Sequence, residues 1–389
     1  MRVVIVGGGF AGVRTAIGLT NKQGFEVKLI SSKAYFEYHA ALYRSATGRS
    51  PLEVAIPLED FFDDARNVEV VEDTITEIDK AAKSIIGENG SKYPYDVLVM
   101  ALGNVTYYGE IKGLSKYSLG VKTVQEALGL KRHLHEQLLG SNGEKNYVVV
   151  GAGATGVELA AELTSYIKQI RKCHDINRPF TVNLIDIAPR PLASLGEDFS
   201  KVVQDRLNEL KIKTLYNTPV KSETASSINL PKGSIESHTV IWTAGSATNP
   251  LFKRFPDVFE ISEKGRVKVD SHLKAAKDIY VLGDSAETKY SGMAQTALND
   301  AKFLTSNLIR MNQGEKPQTY LPKQPVYAIP VGEKWAAVKW GRFKFYGRIG
   351  WFVRRLADLS LYIKFLPLSK ALVVWRYGQV KQEVCEVCD

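Results

Sequence analysis

The stretch Tyr147–Leu163, "YVVVGAGATGVELAAEL", combines an apolar run, three glycines and the start of a helical pattern. Its glycines, Gly151, Gly153 and Gly156, have the spacing G-x-G-x-x-G. In a strand–turn–helix unit of this type the first glycine makes the tight turn, the second lets the backbone approach a pyrophosphate, and the third lets helix and strand pack closely. The phosphate then lies at the positive end of the helix. The stretch therefore predicts a Rossmann-like dinucleotide-binding unit.

The same pattern occurs at the beginning of the chain, in "VVIVGGGFAGVRTAIGL" from Val3 to Leu19. One such pattern is a weak signal, but both copies have an apolar strand before the glycines and a helix after them. Two dinucleotides are therefore predicted, and a flavin with a nicotinamide is the natural pair because hydride transfer needs two stacked rings. The predicted contact residues in the two loops are Gly7, Gly9, Phe10, Ala11 and Gly12, then Gly151, Gly153, Ala154, Thr155 and Gly156.

The residue that ends the next strand usually binds the ribose hydroxyls and is usually acidic, about 20 residues or more after the loop. Asp186, in "FTVNLIDIAPR", occupies this position after the second loop. Ser31, in "FEVKLISSKAYF", occupies it after the first loop. A serine can bind a hydroxyl but lacks the strengthening that a charge gives to the hydrogen bond. Ser32 and Glu37 are further candidates for part of this role.

Three later strands end in small residues that would border the nucleotide crevices: "DVLVMALGN", "HTVIWTAGSATNP" and "DIYVLGDSAE". The third belongs to neither glycine unit, so it is expected to return the chain to the first one. The predicted fold class is α/β, with two Rossmann-like dinucleotide-binding domains, the second inserted in the first, plus a C-terminal amphipathic helical segment. The candidate residues at these strand ends are Ala101, Leu102, Gly103, Ala244, Gly245, Gly283 and Asp284.

A length of 389 residues with 44% apolar residues suits two or three domains. We expect a split first domain at 1–110 and 246–333, a second domain at 111–245, and C-terminal membrane-surface helices with a tail at 334–389. No apolar stretch has the roughly 18 residues that a spanning helix needs. The first residues lead straight into a strand, so no signal peptide and a cytoplasmic location are expected.

The net charge of +9 is concentrated near the C-terminus. From Trp335 to Lys381 there are ten Lys and Arg and one acid, Asp358. These bases alternate with bulky apolar residues from Tyr346 onward and again after Pro367, which is typical of helices that lie in a membrane surface containing anionic lipids. A nucleic-acid surface is not expected. An alternative stays open, in which these helices pack on the chain itself or form a dimer interface.

The three cysteines, Cys173, Cys385 and Cys388, do not form a disulfide scaffold for a chain of this length. The last two form "CEVC", which falls short of a four-ligand zinc site. No metal is predicted.

In these motifs the chain resembles the two-dinucleotide-binding flavoproteins, and within them the type II NADH:quinone dehydrogenases. The resemblance implies a bound FAD on the first loop and NADH as the substrate on the second. It also implies transfer of two electrons to a membrane quinone without proton pumping, by a peripheral protein on the cytoplasmic face of the cell membrane. The pieces that carry it occur in the family's order: "VVIVGGGFAG", "ALGNVTYYG", "VKTVQEALGLKRHL", "VVVGAGATGVELAAEL", "VIWTAGSATNPL", "IYVLGDSAE", "MAQTALNDA" and "YGRIGWFVRRLADLSLYIKFLP".

The resemblance also implies roles for single residues. Asp284 would bind the flavin ribitol, and Ala294 and Gln295 would begin a helix that points at the flavin pyrimidine. Glu158 matches a family glutamate near the stacked rings, although an acid in the first turn of a helix is also stabilised by the helix dipole. Glu158 and Gln295 are the predicted catalytic residues. The chain departs from the family at Ser31, at Ala40 where proline is common, and after Gln295, where the family's paired glutamines and glycine are missing.

Several other functions share this fold. The disulfide reductases need two cysteines near the first loop, and the first hundred residues contain none. A sulfide:quinone oxidoreductase needs a cysteine pair near the flavin. A soluble NAD(P)H oxidase or ferredoxin-type reductase would not need the basic C-terminal segment. A flavoprotein that binds NADH as a sensor without turnover would keep both loops, and the natural quinone and a homodimeric state are left open.

Overall fold

The computed structural model describes residues 1–140 and 145–379, so Cys385 and Cys388 lie outside the described residues. It contains ten α-helices within these ranges, and short 3-10 turns at His39–Ala41, Pro51–Glu53, Glu59–Phe61, Ala193–Leu195 and Gly283–Ser285. The helices are α1 (Phe10–Leu19), α2 (Leu42–Ala46), α3 (Leu114–Tyr117), α4 (Val124–Leu139), α5 (Ala154–Cys173), α6 (Glu197–Glu209), α7 (Leu251–Arg254), α8 (Ala294–Asn312), α9 (Gly347–Ile363) and α10 (Leu368–Tyr377).

The strands of the described residues form two larger sheets and several small ones. In chain order they are β1 (Arg2–Val6), β2 (Glu26–Ser31), β3 (Tyr35–Glu37), β4 (Ala55–Pro57), β5 (Val68–Glu72), β6 (Ile75–Asp79), β7 (Ser84–Gly87), β8 (Lys92–Pro94), β9 (Val97–Met100), β10 (Asn104–Thr106), β11 (Asn146–Val150), β12 (Thr181–Ile185), β13 (Lys213–Leu215), β14 (Ser222–Glu223), β15 (Ser227–Leu230), β16 (Gly233–Glu236), β17 (Thr239–Trp242), β18 (Ser246–Thr248), β19 (Lys274–Ala276), β20 (Ile279–Val281), β21 (Tyr327–Pro330), β22 (Ala336–Trp340) and β23 (Phe343–Phe345).

The first large sheet has the order β19-β20-β9-β1-β2-β5. Its neighbouring strands are parallel except at the edge, where β19 runs antiparallel to β20. Strand β1 is central, which explains its continuous apolar run, because a parallel strand covered on both faces has no solvent side. Strand β20 pairs with β9, with Ile279 opposite Leu98, so the chain returns to this sheet after building the second one.

The second large sheet has the order β13-β12-β11-β17 and is parallel throughout. Helix α5 follows β11 directly through the glycine loop, as α1 follows β1 in the first sheet. The two glycine patterns therefore occupy equivalent strand–loop–helix positions in two parallel sheets. The predicted α/β fold class is confirmed.

The antiparallel pair β10–β18 lies between the two large sheets in the chain, with Val105 opposite Ala247. Strand β10 precedes the second sheet and β18 follows it. We retain the division at 1–110, 246–333, 111–245 and 334–389 as a prediction, with this pair near both junctions.

The C-terminal segment contacts both large units. Its sheet β21-β22-β23 lies against α6 of the second unit, where the Arg206 guanidinium stacks 5.6 Å over Trp335 and the Phe199 and Tyr346 rings are 5.9 Å apart. Helix α10 is tied to the first unit by Lys370, whose amine bonds Asp60 at 3.0 Å. The segment therefore bridges the two units.

Candidate active site

The first glycine loop joins β1 to α1, and two of its glycines are required by the protein's own packing. Gly7 has φ +116, a conformation that side chains other than glycine rarely adopt. A Cβ added to Gly7 would collide with the backbone of Ala101, and one added to Gly12 would collide with the Gly7 carbonyl. The loop can therefore close against β9 and α1 only with glycine at these two positions.

Gly9 differs from these two glycines. Its φ is −89, which any residue can adopt, and a Cβ added there would meet no protein atom within 4 Å. Gly9 is also the N-cap of α1 and makes no side-chain capping bond, so the first N–H groups of the helix are available to an anion. Packing does not require glycine at this position, but a pyrophosphate crossing the loop would, so the residues fit a dinucleotide.

The second loop, between β11 and α5, repeats this arrangement. Gly151 has φ +110, and its added Cβ would lie 2.7 Å from the Thr243 hydroxyl. A Cβ on Gly156 would collide with the Gly151 carbonyl. Gly153 again meets nothing within 4 Å and caps its helix without a side-chain bond. The second loop fits a dinucleotide for the same physical reasons.

The two loops differ in how much protein covers them. Phe10, directly after Gly9, is half-buried, and its ring packs against Phe36 at 5.0 Å, Tyr38 at 5.8 Å and Phe365 at 6.2 Å. The last of these comes from the C-terminal segment. In the second loop Gly153, Ala154 and Thr155 are all exposed. The first crevice is therefore partly closed by aromatic side chains, whereas the second is open.

Asp186 lies directly beside the second loop, at the end of β12. Its carboxylate accepts hydrogen bonds from the backbone N–H of Ala152 and, at 2.7 Å, from that of Ala188. These bonds hold the acid at the loop, and a carboxylate still has lone pairs for ribose hydroxyls. The structure therefore brings Asp186 to the second loop.

Ser31 occupies the equivalent position in the first unit. It is buried, and a Cβ added to Gly8 would lie 2.6 Å from its hydroxyl oxygen. Ser32 is exposed beside it. Glu37 is committed elsewhere, because its carboxylate accepts the Val124 N–H at 2.8 Å and pairs with Lys33 at 2.8 Å. The first crevice therefore has an uncharged side chain at the position where the second has a carboxylate.

The small residues after β9, β17 and β20 line the loops in different ways. Ala101 and Ala244 lie against the first glycine of their respective loops. Gly245 approaches the backbone of Tyr107, which belongs to the crossing between the units. Leu102 and Gly103 continue from Ala101 and are half-buried.

Asp284 lies in the 3-10 turn after β20 and is half-buried. Gly283, directly before it, is hydrogen-bonded by Asp300, a residue that the sequence did not indicate as part of the site. Asp300 of α8 is fully buried and accepts the Gly283 N–H at 3.0 Å and the Tyr320 hydroxyl. Burial raises the pKa of Asp300 to about 6, although both hydrogen bonds oppose the rise. Asp300 lies in the part of α8 where the sequence departs from the family motif. That departure is the feature of the sequence that could have drawn attention to it.

Helix α8 begins at Ala294 without a side-chain cap. The Gln295 side chain bonds the backbone of Val326 at both ends, with its Nε2 donating at 3.2 Å and its Oε1 accepting at 2.9 Å. The side chain is thus used to hold the first turn of α8 against the segment before β21. What Gln295 can offer a ligand at this helix end is its backbone N–H.

Glu158 is buried in α5 and faces the C-terminal segment. Its Oε1 lies 3.8 Å from the guanidinium of Arg354 in α9. Burial raises the pKa of Glu158 to about 7, against the opposing charges of Arg354 and Arg44. A carboxyl with this pKa can hold or release a proton near neutral pH.

Arg354 belongs to a buried ionic cluster, which we define as Arg44, Glu53, Arg354, Arg355 and Asp358. Arg44 bonds Glu53 at 2.6 Å and Asp358 at 2.8 Å, and Arg354 lies 3.1 Å from Asp358. Arg355 lies 3.6 Å from Glu53.

Asp358 also accepts the Tyr38 hydroxyl at 2.6 Å. Burial alone would raise the pKa of Asp358, but Arg354 and Arg44 outweigh burial and hold this pKa at about 2. Helix α9 is therefore joined to α2 and, through Arg354, to Glu158 of α5.

This cluster changes the interpretation of the C-terminal charge. Arg354 and Arg355 point inward, whereas Arg348, Ile349 and Phe352 are exposed on the other side of α9. None of the helices within residues 1–140 and 145–379 has the length and apolar character to cross a membrane. One face of α9 therefore packs on the chain itself, which is one of the two alternatives left open by the sequence, and the other face is exposed.

Comparison with known proteins places this geometry in a family. The family model described as "Pyridine nucleotide-disulphide oxidoreductase" matches residues 1–301. The type II NADH:quinone oxidoreductase Ndh of Mycobacterium tuberculosis is 28% identical over 96% of this chain and 87% of its own length. The type II NADH:quinone oxidoreductase of Staphylococcus epidermidis is 27% identical over 82% of this chain and 84% of its own.

Solved structures agree on the fold. NDH2 from Plasmodium falciparum, solved in complex with NADH, superimposes with a TM-score of 0.87 at 18% identity, over 98% of this chain and 99% of that one. The sulfide:quinone oxidoreductase of Aquifex aeolicus gives 0.78 at 19% identity, over 97% and 92%. From its two glycine loops and these matches, the chain belongs to the pyridine nucleotide-disulphide oxidoreductase family and is similar along most of its length to the type II NADH:quinone oxidoreductases.

Proposed function

We propose that the protein is a type II NADH:quinone oxidoreductase, which takes a hydride from NADH and passes two electrons to a membrane quinone without pumping protons. The observation that carries the proposal is the difference between the two crevices. A resident cofactor needs a covered site, whereas a substrate that enters and leaves in each turnover needs an open one. The loop covered by Phe10 suits the resident flavin, and the exposed loop at Gly153 suits NADH.

FAD would be held by the first loop, by Ser31 and Ser32 at the adenosine end, and by Asp284 at the ribitol. A bound flavin supplies the ability to accept a hydride and to release its electrons to a second substrate. The uncapped N-terminus of α8, with the Ala294 and Gln295 N–H groups, would favour negative charge at the pyrimidine end.

NADH would lie on the second loop, with Asp186 on the adenosine ribose. The exposure of Ala154 and Thr155 supports entry of the dinucleotide from solvent. Quinone reduction also consumes protons, and Glu158 is a buried carboxyl that can hold one at its Oε atoms near neutral pH. Arg354 fixes the position of that carboxyl from α9.

The exposed face of the C-terminal helices would lie on the cytoplasmic surface of the cell membrane. It carries large apolar residues, and the four bases Arg342, Arg348, Lys364 and Arg376 are exposed near it. Anionic lipids would attract these bases, and the hydrophobic quinone would then reach the flavin from the bilayer. A homodimer is compatible with this arrangement. The exposed apolar residues of α9 and α10 are Ile349, Phe352, Leu356, Ile363, Leu368, Leu372 and Val373.

The other functions that share this fold agree less well with the described residues. Cys173, the free cysteine of the described residues, is exposed at the end of α5, which does not provide the cysteine pair of a sulfide-oxidising or disulfide-reducing site. A soluble oxidase or ferredoxin-type reductase has no use for an apolar face rimmed with bases. A sensor would be reduced by NADH once and then stop.

The test is an acceptor screen on the purified full chain with NADH as donor, with and without membranes. We expect sustained NADH oxidation with a quinone analogue and slow oxidation with oxygen or ferredoxin alone. Rapid turnover with oxygen, or a single reduction of the flavin followed by no turnover with any quinone, would contradict the proposal.

A further inference from the structure

The hairpin formed by β22 and β23 ends in an exposed aromatic tip. Trp340 pairs with Phe343 across the two-residue turn Gly341–Arg342, and the two aromatic residues are 59% and 55% exposed. The Arg342 guanidinium lies 5.1 Å from the centre of the Phe343 ring. We propose that this tip is a second membrane-inserting element that enters bilayers containing anionic lipid beside α9. The proposal rests on the membrane location given above and adds an element outside the helices.

Strand alternation places the tip aromatics on the face of the sheet that is turned away from the second unit. Side chains of β22 alternate between two faces. Lys339 points to the second unit, where its amine bonds the Leu195 carbonyl at 2.6 Å. Ala336 and Trp340 belong to the opposite face, and Gly350 of α9 lies against the Ala336 backbone. Trp340 therefore lies on the face of the sheet that is turned away from the second unit, in a strand whose backbone lies against α9.

The stem of the hairpin contacts the second unit, and its turn has a defined backbone conformation. Lys344 pairs with Asp198 at the start of α6, on the face opposite to the tip aromatics. Gly341 has φ +56, which suits a tight hairpin turn with glycine in its first position. Insertion of a tip that is already ordered loses little conformational entropy.

Charge favours a bilayer over a second copy of this chain. Arg342, Arg348, Lys364 and Arg376 are exposed bases of the C-terminal segment, and the one acid between Trp335 and Gln379, Asp358, is buried and paired. Two such surfaces would repel each other, whereas anionic headgroups attract them. Tryptophan beside arginine is also a typical pair at a membrane–water interface, because each has an apolar body and a polar end.

The experiment measures binding of the full-length flavoprotein to vesicles of phosphatidylglycerol and phosphatidylcholine by co-sedimentation. We expect Trp340→Ser and Phe343→Ser each to weaken the vesicle partition coefficient by roughly tenfold, since each removes a large apolar side chain from the bilayer. Trp340→Phe should bind nearly as well as the wild type. Leu321→Ser is the matched control, because Leu321 is 77% exposed but lies outside the segment, and it should change nothing.

Quenching by brominated lipid gives a readout of insertion itself. The wild type should lose fluorescence on such vesicles, and Trp340→Phe should lose clearly less while still binding. If Phe352→Ser on α9 weakens binding but Trp340→Ser does not, the hairpin proposal is wrong and the membrane location of the enzyme survives. If the wild type itself does not bind vesicles, both are wrong. If Trp340→Ser alters the oligomeric state but leaves vesicle binding intact, the tip faces a second copy and the proposal fails.

Discussion

The two crevices share the same arrangement of strand, glycine loop and helix, and they differ in the residues that surround it. In both, the outer glycines of the loop are required by packing and the middle glycine is not. The first crevice is covered by aromatic residues and by the C-terminal segment, and it has the uncharged Ser31 at its strand end. The second is open and has the charged Asp186. The difference teaches that the rest of the chain decides whether one local motif is covered or open, which is why we propose a retained cofactor for the first crevice and an exchanging substrate for the second.

The largest expected effect comes from releasing the cover of the first crevice. Asp358→Ala would leave the buried guanidiniums of Arg44 and Arg354 without their carboxylate, which should lower the free energy of unfolding by about 3–5 kcal/mol. We also expect faster loss of the flavin during gel filtration. The matched control is Asp198→Ala, which removes an exposed partner of Lys344 and should have a far smaller effect on urea unfolding. Equal rates of flavin loss in the two variants would show that the cluster does not close the crevice.

The next prediction separates the crevices by their middle glycines. Gly153→Val should lower kcat/KM for NADH at least ~100-fold and leave a yellow protein that NADH no longer bleaches. Gly9→Val should instead give a folded protein that does not retain flavin. Gly129→Val in α4 is the control, because its added side chain also enters open space and should alter neither property. Loss of the yellow colour in Gly153→Val would reverse our assignment of loops to ligands.

The third prediction concerns Glu158, which lies where α5 of the open unit meets the covering helix α9. A carboxyl whose pKa is raised to about 7 on folding favours the native state most at low pH, and this contribution is lost as the pH rises from about 4.5 to 7. Glu158→Gln removes this pH-dependent contribution to stability. The difference in unfolding free energy between wild type and variant should therefore shift by about 3 kcal/mol in favour of the variant between pH 4.5 and pH 8.

Because Asp300 also has a raised pKa, the measurement compares the two proteins at each pH instead of following the wild type alone. Thermal or urea unfolding at five pH values is sufficient. A difference that stays constant over this range would place the carboxyl in a hydrated site and remove the basis for a proton-holding role.

The smallest expected effect comes from exchanging the residues at the two strand ends, Asp186 and Ser31. Asp186→Ser gives the open crevice the residue of the closed one, and it should reduce the preference for NADH over NADPH by up to about tenfold, because a carboxylate repels the 2′-phosphate. Ser31→Asp should tighten FAD retention by a similar factor. The kcat/KM ratio for the two donors tests the first change and flavin dissociation tests the second. An unchanged ratio would limit Asp186 to holding Ala152 and Ala188.

Much of the fold was predictable because its signals are local. The glycine spacing, the apolar strand before it and the helix after it lie within one short stretch, and the strand-end positions of Asp186 and Ser31 follow from the order of elements. The inward direction of Arg354 and Arg355 was not predictable, because their apolar neighbours suggested one exposed stripe along α9. The use of the Gln295 side chain on Val326 was missed for the same reason, since no local pattern connects them.

The sequence by itself determined that two Rossmann-like units exist, where their glycine loops lie and that the excess charge belongs to the C-terminal segment. These properties depend on backbone conformation and on residue spacing within a few turns. Only the tertiary structure decided which crevice is covered, because the covering contact joins distant residues: the rings of Phe10, near the start of the chain, and Phe365, in the C-terminal segment, lie 6.2 Å apart. Burial of such pairs depends on how separate elements pack, and the charge of a residue in the sequence does not show whether its partner will be solvent, lipid or another side chain.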